Sequence, residues 1–173
     1  DPYAVSVGRA GWVKGTWETV SMLAGSGVSL AHVGGGTGEN LARLTQHAES
    51  CGVGLWVAPR LSSPEMAALM RGARAVVSMA HGEPFGLTPV EAISVGTPAL
   101  MVDEGGFRDT VIDGVNGRLL PRDDLGAWHS ALEQVADGGI RMAWAESGRA
   151  RIAEMDLSPD THCRRLESIL GHL

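Results

Sequence analysis

The chain has 173 residues, of which 44% are hydrophobic and 20% are charged, a composition typical of one globular domain with a sizeable core. A formal net charge of −6, without a basic run, argues against a nucleic-acid-binding protein. No apolar stretch approaches the length of a transmembrane segment, and the N-terminus lacks a signal-peptide pattern. Cys51 and Cys163 fit neither a zinc site nor a redox pair, which predicts reduced thiols and a cytoplasmic location.

Strand-like apolar runs alternate with amphipathic helical segments over the first 120 residues. Strands are predicted at residues 4–7, 29–33, 54–58, 75–78, 99–102 and 117–119. Helices are predicted between them at residues 14–24, 39–51, 64–71, 89–95 and 107–112. Only helical patterns follow, at residues 123–136, 140–154 and 159–170.

This alternation predicts an α/β fold, in which a doubly wound parallel sheet of about six strands carries a helical C-terminal tail. The whole chain, residues 1–173, is predicted to be one domain. Because the chain begins with Asp1 and reaches a strand at once, we expect it to be part of a longer protein.

The segment EPFGLTPVE, at residues 83–91, follows the fourth predicted strand and leads into a helix. Thr88 is a preferred N-cap residue, Pro89 suits the first helical position, and Glu91 would complete a capping box. The Ser63-Pro64 pair repeats this pattern at an earlier helix start.

The same segment predicts an anion site. The backbone N–H groups of Gly86 and Leu87 would lie beside the positive end of a helix dipole, which favours phosphate. Glu83 precedes the turn, where its carboxylate could accept hydrogen bonds from hydroxyl groups. The segment therefore indicates a ligand that carries both phosphate and sugar.

Several polar or glycine-rich segments come directly after predicted strands. In a doubly wound sheet these strand ends share one edge, at which ligands bind. The segments are Gly8-Arg9, Gly34-Gly35-Gly36, residues 83–87 and Asp103-Glu104-Gly105-Gly106. Their convergence predicts one site at that edge.

The order and spacing of these motifs resemble the retaining GT-B glycosyltransferases of family 4. The resemblance extends from about Tyr3 to the last predicted helix, but it covers only the C-terminal, nucleotide-sugar-binding half of such enzymes. The matching motifs are Gly8-Arg9, Lys14-Gly15, Val33-Gly34-Gly35-Gly36, the two glutamates at 83 and 91 around Phe85-Gly86-Leu87, Gly96-Thr97-Pro98 and Gly105-Gly106.

The resemblance implies a Rossmann-like domain that binds a UDP- or GDP-hexose donor without a metal or another cofactor. It also implies a partner, an N-terminal acceptor-binding domain of the same protein. That half would supply the acceptor site and a histidine beside the transferred sugar. We therefore expect the present chain alone to be inactive as a hexosyltransferase.

The resemblance assigns roles position by position. Arg9 and Lys14 would neutralise the donor diphosphate, and Glu83 would hold hydroxyl groups of the transferred sugar. These three are the predicted catalytic residues. Backbone N–H groups of residues 85–87 would contact sugar and phosphate, and Glu91 would accept hydrogen bonds from the ribose.

Gly105 and Gly106 are the remaining donor-binding candidates, and two nearby positions depart from the family pattern. Gly105 and Gly106 could contact the phosphate or sugar, or could serve only to form a turn. Met79-Ala80 stands where the family commonly has Pro-Ser. The nearest acidic residue after the two glycines is Asp109, where the family often has glutamate.

Other residues have simpler interpretations. The glycine run at 34–38 resembles a dinucleotide fingerprint, but Glu39 occupies the place of its third glycine, which argues against NAD. His81 is predicted to be an exposed loop residue and His32 a packed core residue. Asp123-Asp124 is expected to cap a helix rather than bind a metal. Trp128 and Trp144 are expected on buried helix faces.

Two other functions fit part of the pattern. One is a non-catalytic nucleotide- or phosphosugar-binding module that regulates a partner. The other is a GT-B nucleotide-sugar epimerase, which would not need the pairing of Glu83 with Glu91. No Ser/His/Asp arrangement or metal-binding spacing supports a hydrolase or a metalloenzyme.

Overall fold

A computed structural model describes residues 1–158, 160, 161, 164 and 168, and its centre is a six-stranded parallel sheet. The strands lie in the order β3-β2-β1-β4-β5-β6. All are parallel, and the order in which the chain adds strands reverses between β1 and β4. The strands are β1 (Tyr3–Val7), β2 (Ser29–Val33), β3 (Leu55–Ala58), β4 (Ala75–Ser78), β5 (Ala99–Val102) and β6 (Gly117–Leu120). This is the predicted doubly wound α/β fold.

Helices connect the strands and follow the last one. They are α1 (Thr16–Leu23), α2 (Gly38–Ser50), α3 (Ser63–Gly72), α4 (Leu87–Ser94), α5 (Phe107–Thr110), α6 (Leu125–Gln134) and α7 (Gly138–Met155). Among the described residues, no helix is both long and apolar enough to cross a membrane. Most of the predicted helix at 159–170, including Cys163, lies outside the described residues.

The core lies on both sides of the sheet. Val76, Val77, Leu100 and Met101 of the two strands β4 and β5 are completely buried, as expected for strands covered by helices on both faces. The tail helices pack on the same core: Trp128 is fully buried and Trp144 is 6% exposed. The burial predicted for these two tryptophans is confirmed.

The first predicted helix differs from the structure at its start. A 3-10 turn at Trp12–Lys14 comes first, and α1 begins only at Thr16. Gly15 separates them in the left-handed conformation with φ 58°, and a Cβ at this position would lie 1.9 Å from the carbonyl oxygen of Met79. Lys14 therefore precedes the helix instead of starting it.

Candidate functional site

The predicted glycine-rich and polar segments meet at the edge of the sheet formed by the C-terminal ends of the strands, called here the carboxyl edge. The Gly8 amide donates to the Val33 carbonyl at 2.8 Å, and the Ala10 amide donates to the Gly35 carbonyl at 2.8 Å. The loop after β5 joins the loop after β4 because the Gly106 amide donates to the Glu83 carbonyl at 2.7 Å. The predicted convergence of these loops is thus observed.

Gly105 and Gly106 pack against the backbone of the Glu83 loop. A Cβ on Gly105 would lie 2.5 Å from the Glu83 carbonyl oxygen, and one on Gly106 would lie 2.4 Å from the Phe85 Cα. Side chains at either position would therefore push the two loops apart. Close packing accounts for both glycines, and their contact with a ligand stays a prediction.

Lys14 and Glu83 form an ion pair at the carboxyl edge. Lys14 Nζ lies 2.7 Å from Glu83 Oε2, and the two side chains are 39% and 20% exposed. The Lys14 stem also packs over Gly8, since a Cβ on Gly8 would lie 3.2 Å from Lys14 Cγ. The structure thus joins a cation and a carboxylate that the sequence assigned to two different parts of one ligand.

Arg9 is an exposed residue of the connection between β1 and α1, which also contains Lys14. Within the described residues, no hydrogen bond or ion pair engages its guanidinium group. Arginine binds phosphate oxygens through a planar fork of N–H donors. Arg9 could therefore bind an anion without first breaking a contact within the described part of the chain.

Helix α4 begins directly after the turn that contains Gly86. Gly86 is the N-cap residue, with φ 82°, and no side chain hydrogen-bonds to the first N–H groups of the helix. The predicted capping box is therefore wrong: Thr88 and Pro89 are the second and third helical residues, and Glu91 lies in the second turn. The left-handed glycine lets the helix start two residues earlier than Thr88 would allow as an N-cap.

The uncapped start of α4 is surrounded by exposed apolar side chains. Phe85 is 37% exposed and Leu87 is 59% exposed, whereas Gly86 is buried between them. The first N–H groups of a helix need an external acceptor when no side chain supplies one. An anion beside Gly86 and Leu87 would satisfy them and would lie at the positive end of the helix dipole.

Glu91 lines a separate groove of about 370 Å³ between α3 and α4. The groove reaches the carboxyl edge at Val7, the last residue of β1, and Leu61 and Ser94 also contribute to its walls. Partial desolvation there raises the pKa of the Glu91 carboxyl above its ordinary value of 4.5. Glu91 thus faces this groove and has no capping role.

Arg122 connects α1, the loop after β4 and the loop after β5. Sequence reasoning missed it. Its guanidinium group binds both oxygens of Glu104, each at 2.9 Å, and donates to Glu18 Oε1 at 3.3 Å. It also donates to the carbonyl oxygens of Met79, at 2.8 Å, and Ala80, at 3.3 Å. The hydrogen bond from Arg122 lowers the pKa of the Glu104 carboxyl.

These contacts hold the backbone that leads from β4 into the Glu83 loop. The two carbonyls belong to the Met79-Ala80 pair, which replaces the Pro-Ser of the family pattern. The partners of Arg122 are between 18 and 104 positions away in sequence. No local pattern could therefore reveal the network.

The prediction that His81 is an exposed loop residue is wrong. Its ring stacks on Trp12 with a centroid separation of 4.3 Å and an interplanar angle of 11°. Its Nε2 lies 2.8 Å from Glu18 Oε1, the oxygen that also accepts from Arg122. The stack and the carboxylate leave the side chain 22% exposed.

Two simpler predictions are confirmed. His32 is 1% exposed in β2, and burial lowers the pKa of its imidazole, which hydrogen-bonds through Nδ1 to Ser6 Oγ at 2.8 Å. Asp124 caps α6, because its Oδ1 accepts from the Ala127 amide at 2.9 Å. Ser62, rather than the predicted Ser63, caps α3 in a capping box with Glu65.

The family model described as glycosyl transferases group 1 matches residues 1–151 of the chain. The chain belongs to this family. A curated member, the D-inositol 3-phosphate glycosyltransferase of Xylanimonas cellulosilytica, is 35% identical over 156 residues. These residues make up 86% of this chain but only 37% of that relative, so the chain spans little more than a third of its length.

Solved structures share the fold of this chain. Sucrose-phosphate synthase from Thermosynechococcus elongatus matches 99% of this chain and 45% of its own chain, with a TM-score of 0.86 and 24% identity. The HepE protein of Anabaena, solved in complex with UDP-glucose, matches 100% of this chain and 50% of its own, with a TM-score of 0.77 and 22% identity. The chain therefore has the Rossmann-like GT-B fold.

Proposed function

We propose that this chain is the donor-binding domain of a retaining, metal-independent hexosyltransferase of family 4. The complete enzyme transfers a hexose from a UDP- or GDP-hexose to an acceptor hydroxyl group. One observation carries the proposal: the uncapped N-terminus of α4 adjoins the Glu83 loop, and Glu83 is bound to Lys14. Backbone N–H groups that can bind an anion and a carboxylate that can accept from hydroxyl groups thus occur together at one end of a helix.

The leaving group of such a reaction is a diphosphate. Cleavage of the sugar–phosphate bond builds negative charge on the diphosphate and positive charge at the anomeric carbon. Arg9, Lys14 and the first amides of α4 supply positive potential where the negative charge develops, which lowers the barrier. This is the work that a metal ion does in other transferases, and it motivates a metal-independent mechanism.

Because Lys14 and Glu83 form an ion pair, one donor molecule can contact both side chains at once. With donor bound, Lys14 donates to the diphosphate while Glu83 accepts from hydroxyl groups of the hexose. Each charge-assisted hydrogen bond contributes about 1.5–3 kcal/mol. Glu83 orients the sugar in this mechanism and does not act as a general base.

The groove beside α3 receives the nucleoside. Glu91 accepts from the ribose hydroxyls there, and the loop at residues 58–61 contacts the base through its backbone. The groove opens at Val7, next to the connection that carries Arg9 and Lys14. A ligand could therefore extend from the groove to the start of α4.

The acceptor site belongs to the part of the relatives that this chain does not match. The chain spans 37% of the Xylanimonas glycosyltransferase and half of HepE, which was solved with UDP-glucose. Transfer by the present chain alone is accordingly expected to be negligible. Donor binding, in contrast, should be measurable on this chain.

Calorimetric or NMR titration with UDP and GDP tests the proposal. Binding of either nucleotide is expected, and it should weaken with added salt because the phosphate contacts are electrostatic. Arg149→Ala, which removes an exposed arginine of α7, is the control for Arg9→Ala. If neither nucleotide binds at millimolar concentration, the chain is not a donor-binding domain.

A further inference from the structure

A second groove opens at the carboxyl edge, and none of the residues assigned to donor binding lines it. It has a volume of about 390 Å³ and lies between the β1–α1 connection, the start of α1 and the first turns of α2. Such a volume falls within the range of about 300–1,000 Å³ that is usual for small-molecule sites. The groove is lined by Gly11, Trp12, Trp17, Glu18, Asn40 and Arg43.

Two indole rings contribute to this groove. Trp12 is 69% exposed, although a tryptophan side chain is among the costliest to leave in water. Its ring nevertheless has a defined position, because it stacks on His81 and His81 is bonded to Glu18. Trp17 is partly buried on α1. An aromatic surface is therefore held rigidly at an exposed position.

Hydrogen-bonding groups lie around the indoles. Glu18 uses only Oε1 to accept from His81 and Arg122, so that Oε2 has no partner among the described residues. Asn40 donates through Nδ2 to the Ala10 carbonyl, which leaves its amide oxygen as an acceptor. Arg43 pairs with Glu39 through one terminal nitrogen at 2.6 Å and keeps further N–H donors.

We propose that this groove binds a neutral pyranose sugar, separate from the donor site. The apolar C–H face of the ring packs on an indole, and its hydroxyls bond to Glu18, Asn40 and Arg43. A hydroxyl group both donates and accepts, so it suits a wall that mixes carboxylate, amide and guanidinium. An anion suits it less well, because Glu18 lies in the groove and Arg43 is already paired with a carboxylate.

The groove and the donor loop share structural supports. Trp12 lies between Arg9 and Lys14 in the chain, and His81 comes two residues before Glu83. A sugar in this groove would be adjacent to the donor site at the same edge of the sheet. Binding itself does not require a donor.

NMR titration of the 173-residue chain with methyl α-D-glucopyranoside, methyl α-D-mannopyranoside, methyl α-D-galactopyranoside and myo-inositol tests the proposal. The indole N–H signals report each tryptophan separately, and binding is expected at millimolar concentrations. At least one pyranoside should shift the Trp12 and Trp17 signals and leave Trp128 unchanged. Trp12→Ala should weaken this binding about tenfold.

Trp56→Ala provides the matched control, because Trp56 is 50% exposed on β3 and does not line the groove. This variant should bind the sugar like the original chain. His81→Ala should weaken binding several-fold, since it removes the support behind Trp12. Circular dichroism verifies that each variant is folded.

Three results would overturn the proposal. The first is that no sugar of the panel shifts the Trp12 signal, and the second is that Trp12→Ala binds sugar with unchanged affinity. The third is that Trp12 responds to uridine but not to sugars, which would assign the groove to an aromatic base. UDP titration of Trp12→Ala separates this proposal from the donor site. Donor binding should survive this substitution even where sugar binding is lost.

Discussion

The N-termini of α3 and α4 differ in whether a side chain accepts from their first backbone N–H groups. Both helices lead away from the carboxyl edge, and both leave backbone N–H groups that need acceptors. At α3, Glu65 accepts from the amide and hydroxyl groups of Ser62 at 2.8 and 2.6 Å, which closes a capping box. At α4, Gly86 offers no side chain and the amides stay available.

With the proposed function, the difference separates a helix end that caps itself from one that binds a ligand. A capping box satisfies the helix internally and stabilises it by about 0.5–2 kcal/mol. The α4 end forgoes that stabilisation and directly follows the loop that carries Glu83, the partner of Lys14 in an ion pair. We therefore assign a structural role to the start of α3 and propose a binding role for the start of α4. Three experiments test this division, and a fourth compares the carboxylates of Glu91 and Glu104.

The largest expected effect is on catalysis. In the full-length transferase, Glu83→Gln should lower kcat by about 10²–10³-fold, because the transferred hexose loses its carboxylate partner. Glu65→Gln alters the capping-box glutamate of α3 and should leave kcat within a factor of about two. Steady-state kinetics of both variants measures the contrast. Near-normal turnover in Glu83→Gln would remove the assigned role.

Nucleotide affinity should change next most strongly. Arg9→Ala and Lys14→Ala should each weaken UDP or GDP binding about tenfold or more, since each removes a charge-assisted contact with phosphate. Calorimetry at two salt concentrations should also show a shallower salt dependence in both variants. Equal affinities in Arg9→Ala and the Arg149→Ala control would place the phosphate elsewhere.

The free energy of unfolding should respond differently to substitutions at the two helix starts. Ser62→Ala should lower the free energy of unfolding by about 1 kcal/mol, because it removes a working N-cap. Thr88→Ala should cost much less, although the sequence marks Thr88 as the better cap, because the residue already lies inside α4. Urea denaturation compares them. A loss in Thr88→Ala as large as in Ser62→Ala would contradict a helix start at Leu87.

The smallest effect concerns pH. Since desolvation raises the folded-state pKa of Glu91, the folded protein holds this proton more tightly than the unfolded chain. The stability contributed by Glu91 is thus fully present below the ordinary value of 4.5 and is lost as pH rises through the folded value. Glu91→Gln should not show this loss, so its stability relative to the original chain should increase slightly with pH across that window.

The stability contributed by Glu104, the partner of Arg122, depends on pH in the opposite sense. Arg122 lowers the pKa of Glu104, so this carboxylate contributes stability above its ordinary value of 4.5 and loses it as pH falls through the folded value. The effects of Glu91 and Glu104 therefore have opposite signs. Comparing Glu91→Gln with Glu104→Gln by denaturation at several pH values distinguishes them.

The amino-acid sequence by itself determined the fold and the location of the candidate site. Apolar strand runs alternate with amphipathic helices, and their lengths leave few alternatives to a parallel sheet. All six strands agree with prediction within one residue at each end. Because parallel strands end at one edge, the loops after them could be placed together without any tertiary information.

Only the tertiary structure decided how the side chains at that edge are paired. Pairing depends on which distant residues come within hydrogen-bonding distance, and sequence spacing contains no such information. The bond between Lys14 and Glu83, the stack of Trp12 on His81 and the five contacts of Arg122 all join separate segments. The start of α4 was likewise set by tertiary structure, because Gly86 packs against Phe107 and takes a conformation that overrides the local preference of Thr88 for the N-cap.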